Sequence, residues 1–331
     1  MRNSLALAVL ALVLALTAPV GGASAQVRAI DLHSGISTQN RVVRLLWRGG
    51  VELDFQNPRF GGVSAMQMEA GGRTAYLITD RGDLAEVALD YNAAGNLSDA
   101  RLVEIRGVIG AGGRGSDSAI EAIARMPDGG WLVAFERNHR LMKFPRSVEP
   151  LQSVPQLLTT PIGLERARST RGIEAASATE DRKILLIGED LPTSPGYTFA
   201  WLGDGASWTP MTYALYPPYK PVGASMMPNG DIMVIERRGT PQNPGGTRFA
   251  RINKRLLRPG APIQTNEIAR LEPPLCDRKL RGARHDLGPA GPDADLCRQR
   301  QRVLDLAPHC AAGLRTPVLA QPSTQCFHTA A

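Results

Sequence analysis

Cysteine is missing from the first 275 residues: Cys276, Cys297, Cys310 and Cys326 all fall in the last sixth of the 331-residue chain. A disulfide framework spreads through the fold it staples, so the body of this chain is not stapled and its tail is built differently. Aromatics make up only 5%. The chain carries a formal charge of +7 and a pI near 9.5, but its Lys and Arg are scattered, with no basic helix and no basic stripe interleaved with aromatics. No nucleic-acid partner is expected.

Long apolar runs are also absent beyond the first 25 residues, which excludes a later transmembrane helix. The start itself has Arg2, the apolar run Leu5 to Leu16, Pro19 and then Ala23-Ser24-Ala25. A positive start, a short hydrophobic stretch and a small-residue cleavage site read as a secretory signal peptide over 1–25, cleaved after Ala25. The run is too short for a bilayer span, so a periplasmic or secreted protein with no membrane segment after cleavage is expected. The sequence also lacks G-x-S-x-G, G-x-x-x-x-G-K-[ST] and H-E-x-x-H, which leaves a serine hydrolase of the usual kind, a P-loop enzyme and a zincin unsupported.

What is present is 43% apolar content, enough to bury a core, and a pattern repeated between Phe60 and Lys254. Its copies are GGVSAMQMEAGGRTAYLITDRG from Gly61, SAIEAIARMPDGGWLVAFERNHRLMKF from Ser118, RGIEAASATEDRKILLIGED from Arg171 and VGASMMPNGDIMVIERR from Val222, starting about 50 to 57 residues apart. Each places a turn signal between two apolar runs: Ala70-Gly71-Gly72, Pro127-Asp128-Gly129-Gly130, Glu180-Asp181 and Pro228-Asn229-Gly230-Asp231. The second run is short and strand-like in each, as in Ile184-Leu185-Leu186-Ile187. Helical periodicity is confined to the first 25 residues. An all-β fold of repeated small sheets follows, and the period favours a β-propeller. Four clear blades, a blade split with strands from the N-terminal segment 27–54, and a last one near the C-terminus predict six.

Carboxylates recur at matching places in the repeat. Asp80, Glu136, Glu189 and Glu236 follow the second run, while Glu121 and Glu174 open the first; Glu121 to Glu136 and Glu174 to Glu189 are both 15 residues apart. A ring brings such positions around one axis. Convergent carboxylates raise one another's pKa unless a cation neutralises them. Arg81, Arg137, Arg237 and Arg238 sit directly beside the acids. Two readings stay open: a hard-cation site for Ca²⁺ or Mg²⁺, or structural acid–arginine pairs between blades. His139, the only histidine within the repeats, is a surface residue or one that binds or protonates an anionic substrate. Ser64 and Ser225 read as turn residues before nucleophiles.

The ordered set FGGVSAM (60–66), ITDRG (78–82), SAIEAIA with AFERNHRL, RGIEAAS and PNGDIMVIERR resembles the exported bacterial phytase-like family, also described as esterase-like activity of phytase, over about 55–255. The resemblance implies a β-propeller-like fold with clustered acids and phosphoester or ester hydrolysis, and it points to Asp80, Glu121, Glu136, Glu174 and Glu236. The chain departs from the family pattern at Gly223-Ala224-Ser225, where an acid is often found. The expectation is an exported hydrolase acting on a small anionic or ester substrate. Glu121, Glu174 and Glu136 are its catalytic residues, Arg81, Arg137, His139 and Arg237 bind substrate, and Asp80, Glu121, Glu174 and Glu236 hold a divalent metal such as calcium. The alternative is a non-catalytic propeller that binds a ligand or protein partner.

After Leu275 the composition changes: from Cys276 to Cys326 there is no Ile, Met, Phe, Tyr, Trp, Glu or Asn. Codons compatible with CDRKLRGAR, read one nucleotide later, permit V-T-E-N-F-E-G-L, and those for the segment from Leu296 permit Y-V-V-S-D-N-E-F-S. Both resemble the family's expected last repeat. The expected organisation is therefore a signal peptide over 1–25, a propeller over 26–275, and a 276–331 tail produced by a frameshift that disrupts the last blade.

Overall fold

The computed structural model describes residues 26–33, 36, 40–112, 119–240, 243–272, 275, 300–308 and 318–321. The four repeats form four antiparallel meanders, each of four strands. Blade 1 holds β4 (Val63–Met68), β5 (Thr74–Thr79), β6 (Asp83–Tyr91) and β7 (Leu97–Gly107). Blade 2 holds β8 (Ile120–Arg125), β9 (Trp131–Phe135), β10 (Leu141–Phe144) and β11 (Gln156–Leu157). Blade 3 holds β12 (Ile173–Ala178), β13 (Ile184–Ser194), β14 (Tyr197–Gly203) and β15 (Trp208–Ala214). Blade 4 holds β16 (Lys220–Met226), β17 (Ile232–Thr240), β18 (Asn243–Ile252) and β19 (Asn266–Leu271). The hairpin signals act as read: Gly129 and Gly230 both take φ of 82°, a left-handed turn position that favours glycine.

The fifth sheet joins the two ends of the chain. β1 (Gln26–Ala29), β2 (Arg41–Val42) and β3 (Leu45–Asp54) come from the N-terminal side, β20 (Arg300–Pro308) and β21 (Val318–Gln321) from the tail, in the order β1-β3-β20-β21 with β2 also on β3. β20 pairs with β3 from Arg300 opposite Asp54 to Pro308 opposite Leu45. Closing the ring in this way removes unpaired edges. Five blades are described, one fewer than the six expected of the intended fold, and the N-terminal and tail strands share one of them.

Packing follows the same count. Five apolar clusters occupy the five junctions between neighbouring blades. The second strands explain how one short run serves two junctions. In β13, Ile184 and Leu186 pack toward blade 2 while Leu185 and Ile187 pack toward blade 4, since successive side chains point to opposite faces. In β9, Leu132 and Ala134 face blade 3 while Trp131, Val133 and Phe135 face blade 1. Both faces of each sheet are buried, so these strands read as unbroken apolar runs instead of alternating ones. The closing sheet does the same across the ring: Val51, Leu53 and Phe55 join the core of blade 1, and Ile30, Leu32, Val42 and Leu45 join that of blade 4.

The expected signal peptide, the four cysteines and most of the 276–331 tail lie outside the described residues. Among the described residues, no helix is long and apolar enough to cross a membrane.

Candidate functional site

The inner strands β4, β8, β12 and β16 pack side by side around a channel of about 450 Å³. Each carries an irregularity at the same level. The pairing with the second strand skips one residue between Val63 and Ala65, Ile120 and Ala122, Ile173 and Ala175, and Pro221 and Gly223. The skipped residues are Ser64, Glu121, Glu174 and Val222, and all four line the channel. A β-bulge re-aims the side chain of the extra residue, so four copies of one backbone device present these four side chains at one level of the axis.

A second ring lies beside the first. The N–H groups of Asp80, Glu136 and Glu189 donate to the carbonyls of Gly62, Ala119 and Gly172 at 2.8, 2.9 and 3.2 Å, two residues before each bulge. In blade 4 the equivalent pair is Lys220 with Arg237. The outer ring is therefore Asp80, Glu136, Glu189 and Arg237, with an arginine where the sequence spacing puts a fourth acid.

That assignment moves Glu236. It pairs with Pro221, the position of Thr79, Phe135 and Gly188 in the other blades, one residue short of the acidic ring. A shift of one residue along a strand turns the side chain to the opposite face. Glu236 is 0% exposed, forms an ion pair with Arg248, and accepts a 2.6 Å hydrogen bond from the Tyr213 hydroxyl. It holds blades 3 and 4 together and is not a ligand in the channel. Burial and the Glu236 charge in turn hold the Tyr213 hydroxyl well above its ordinary pKa.

The acids that do converge share protons. Burial, then the charges of Glu174, Glu136 and Asp80, push the Glu121 carboxyl up to about 9. Burial, Glu189 and Glu136 push Glu174 up to about 8, against the pull of Arg237 and Arg171. Glu136 is raised by burial, an effect that Arg137 and a hydrogen bond from Glu121 oppose. That bond favours the neutral form of Glu121 and the charged form of Glu136, so Glu121 is the donor and Glu136 the acceptor. Around neutral pH Glu121 and Glu174 are therefore neutral carboxyls.

The basic residues divide. Arg137 and Arg237 are exposed at the rim, and Arg171 bonds Glu189 at 3.4 Å and Asp190 at 3.1 Å. Arg81, expected to bind substrate, instead donates to the carbonyls of Pro58 and Arg59 at 3.3 and 3.1 Å and anchors that loop. Ser64 is a stitch between blades, its hydroxyl 2.5 Å from the Ile120 carbonyl. His139 takes a left-handed φ of 43°, close after Arg137 at 65°, a conformation uncommon for residues other than glycine. The 2.8 Å bond from the Arg137 N–H to the Ser169 carbonyl helps hold this bend. The His139 ring lies against Gly172, where a Cβ would come within 2.7 Å of Nδ1. Both ring nitrogens are buried with no hydrogen-bond partner among the described residues.

A purely oxygen donor set fits a hard divalent cation in kind. Among the described residues, however, no three His, Cys, Asp or Glu are arranged to hold a metal ion. Glu189 and the bulge geometry were missed by the site assignment from sequence, although the equal spacing of 15 residues pointed to Glu189.

A ring of small antiparallel sheets around an acid-lined channel defines a β-propeller. The sequence profile of the phytase-like family, described as esterase-like activity of phytase, matches residues 58–285, more than half of the chain, and the protein belongs to that family. No curated protein matches the chain. Among solved structures it is similar to a catalytically inactive virginiamycin B lyase from Staphylococcus aureus (9% identity, 90% of this chain and 89% of that one, TM-score 0.37). It is also similar to a putative 6-phosphogluconolactonase from Bacteroides uniformis (10% identity, 90% and 99%, TM-score 0.35). A third is the Cps50 (Swd1) β-propeller domain from Myceliophteria thermophila (9% identity, 89% of each chain, TM-score 0.37).

Proposed function

We propose that this phytase-like propeller is a hydrolase of ester or phosphoester bonds whose working groups are Glu121, Glu136 and Glu174. The observation that carries the reading is the pair of Glu121 and Glu136, joined by a hydrogen bond that the Glu121 carboxyl donates and Glu136 accepts. Two carboxyls with separated protonation states are the ordinary equipment for general acid and general base work at one centre. Glu136 takes a proton from the attacking water, Glu121 gives one to the leaving oxygen, and neutral Glu174 donates a hydrogen bond to the developing oxyanion. The exposed Arg137 and Arg237, with His139 behind them, attract an anionic group to the rim. If calcium is resident, Asp80, Glu121, Glu136, Glu174 and Glu189 are the residues that hold it, and the ion supplies neutralisation of a substrate oxyanion. Purified protein assayed with carboxylester, phosphomonoester and phosphodiester substrates, with calcium and with chelator, tests this reading. Turnover that is lost in Glu121→Gln and Glu136→Gln supports it. No turnover on any class favours the alternative, a propeller that binds a ligand without chemistry.

The reading includes export by a signal peptide over 1–25 and a frameshift near Leu275 that replaces the intended last part of the ring, a sixth blade included. The compositional break at 275 supports the frameshift. Resequencing the gene decides it: a single-nucleotide shift that restores an acidic, aromatic-containing repeat is expected, and a confirmed frame with no such shift overturns it.

A further inference from the structure

From the acid ring inward, the channel changes character. One step along the inner strands from Ser64, Glu121, Glu174 and Val222 come Met66, Ile123, Ala176 and Ala224, and beyond them Met68 and Met226. Met227, Met233 and Ile235 complete this lining. No Lys, Arg or His lines the channel among the described residues; its ionisable groups are Glu69, Glu121, Glu174 and Glu180, all acids. Arg137 and Arg237 are exposed at the rim, and Lys254, outside the lining, pairs with Glu180 at 2.6 Å. A polyanion that enters such a channel loses its hydration and finds no cationic side chain in the lining to replace it. An apolar chain meets thioethers, which are unbranched and adapt to irregular shapes.

We infer that the site takes an ester with an uncharged, flexible apolar arm: the scissile bond sits at the level of Glu121 and Glu174, and the arm runs down the methionine-lined channel. This rests on the hydrolase reading and narrows it, setting multiply phosphorylated substrates aside. The cavity volume of about 450 Å³ lies within the range of small-ligand pockets. The arm occupies space that is already lined, and hydrolysis of the ester consumes one water and releases an acid and an alcohol.

Two readouts on the full chain, one without chemistry, separate this inference from the reading beneath it. The first is kcat/KM on 4-nitrophenyl acyl esters of increasing chain length, beside 4-nitrophenyl phosphate and inositol hexakisphosphate. The second is fluorescence titration with the neutral apolar dye Nile red, displaced by octanol. The inference expects kcat/KM to rise by roughly two- to four-fold for each added methylene until the channel is full. It expects Met66→Gln with Met226→Gln to flatten that rise and weaken dye binding by about five-fold or more. Ala224→Phe, which fills the channel, should bring the same loss, and thermal melts confirm that each variant is folded. Dye binding that responds to these variants without turnover of any substrate supports the apolar occupant and removes the hydrolase reading. Dye binding that folded variants leave unchanged overturns the inference, as does a higher kcat/KM on inositol hexakisphosphate than on any acyl ester.

Discussion

Blades 2 and 3 and blades 1 and 4 build the same bulge and fill it differently. In blades 2 and 3 the re-aimed residue is a glutamate, Glu121 or Glu174, with a second acid, Glu136 or Glu189, beside it. In blade 1 it is Ser64, turned to the Ile120 carbonyl, and in blade 4 it is Val222 beside Arg237. The bulge position is acidic on one side of the axis and uncharged on the other, with Met66, Met68 and Met226 lining the channel from blades 1 and 4. The backbone device is common to all four blades, so chemistry in this fold is decided by a single residue per repeat.

The sharpest way to break the contrast is to remove the acids from one side. Glu121→Gln and Glu174→Gln keep the shape and are expected to lower kcat/KM by about 100-fold or more, measured on the best ester substrate. Ser64→Ala, at the matching position of blade 1, should cost far less. Equal losses from all three would mean that the bulges matter and the acids do not.

Next in size is the acid that sits outside both rings. Glu236→Ala leaves Arg248, 3% exposed, without its main partner, and should destabilise the fold by about 3–5 kcal/mol in denaturant melts. Asp80→Asn, at the exposed end of the ring, should change stability by less than about 1 kcal/mol. If the two behave alike, the one-residue offset of Glu236 is wrong.

A smaller effect is expected at the joint between blades 2 and 3. Gly172→Ala puts a Cβ within 2.7 Å of His139 Nδ1 and should cost about 1–3 kcal/mol. His139→Ala in the same chain should restore most of that loss. A double variant no better than Gly172→Ala alone would show that the ring does not press on this glycine.

The smallest effect concerns pH. Glu121 and Glu174 keep their protons in the folded protein up to about 9 and about 8, whereas the unfolded chain releases them near the ordinary carboxylate range. Stability is therefore greatest below that range and declines as pH rises toward 8 to 9, where the folded groups ionise as well. In chelator at pH 8, Glu174→Gln should melt higher than the parent, by about 1–2 kcal/mol, and the gap should shrink at pH 5. A gap that does not depend on pH would remove titration as its cause.

Much of this was legible in the chain. The turns at Pro127-Asp128-Gly129-Gly130 and Pro228-Asn229-Gly230-Asp231, the apolar second strands and the recurrent acids all follow from local chemistry, and they place blades 1 to 4. Side-chain direction was not legible at Glu236. Spacing differs by one residue between repeats, and a strand reverses its face at each residue, so a ligand and a buried structural acid look alike in sequence. Arg81 and His139 depend on contacts with the 58–59 loop and Gly172, which no local pattern encodes.

The central claim is that the bulges hold Glu121 and Glu174 in the channel as neutral carboxyls at neutral pH. Infrared difference spectra between the parent and each Gln variant, recorded in chelator at pH 7, test it directly. The account predicts that each substitution removes a protonated-carboxyl band, and that the loss disappears when the spectra are taken above pH 10. Loss of a carboxylate band alone at pH 7 would contradict it.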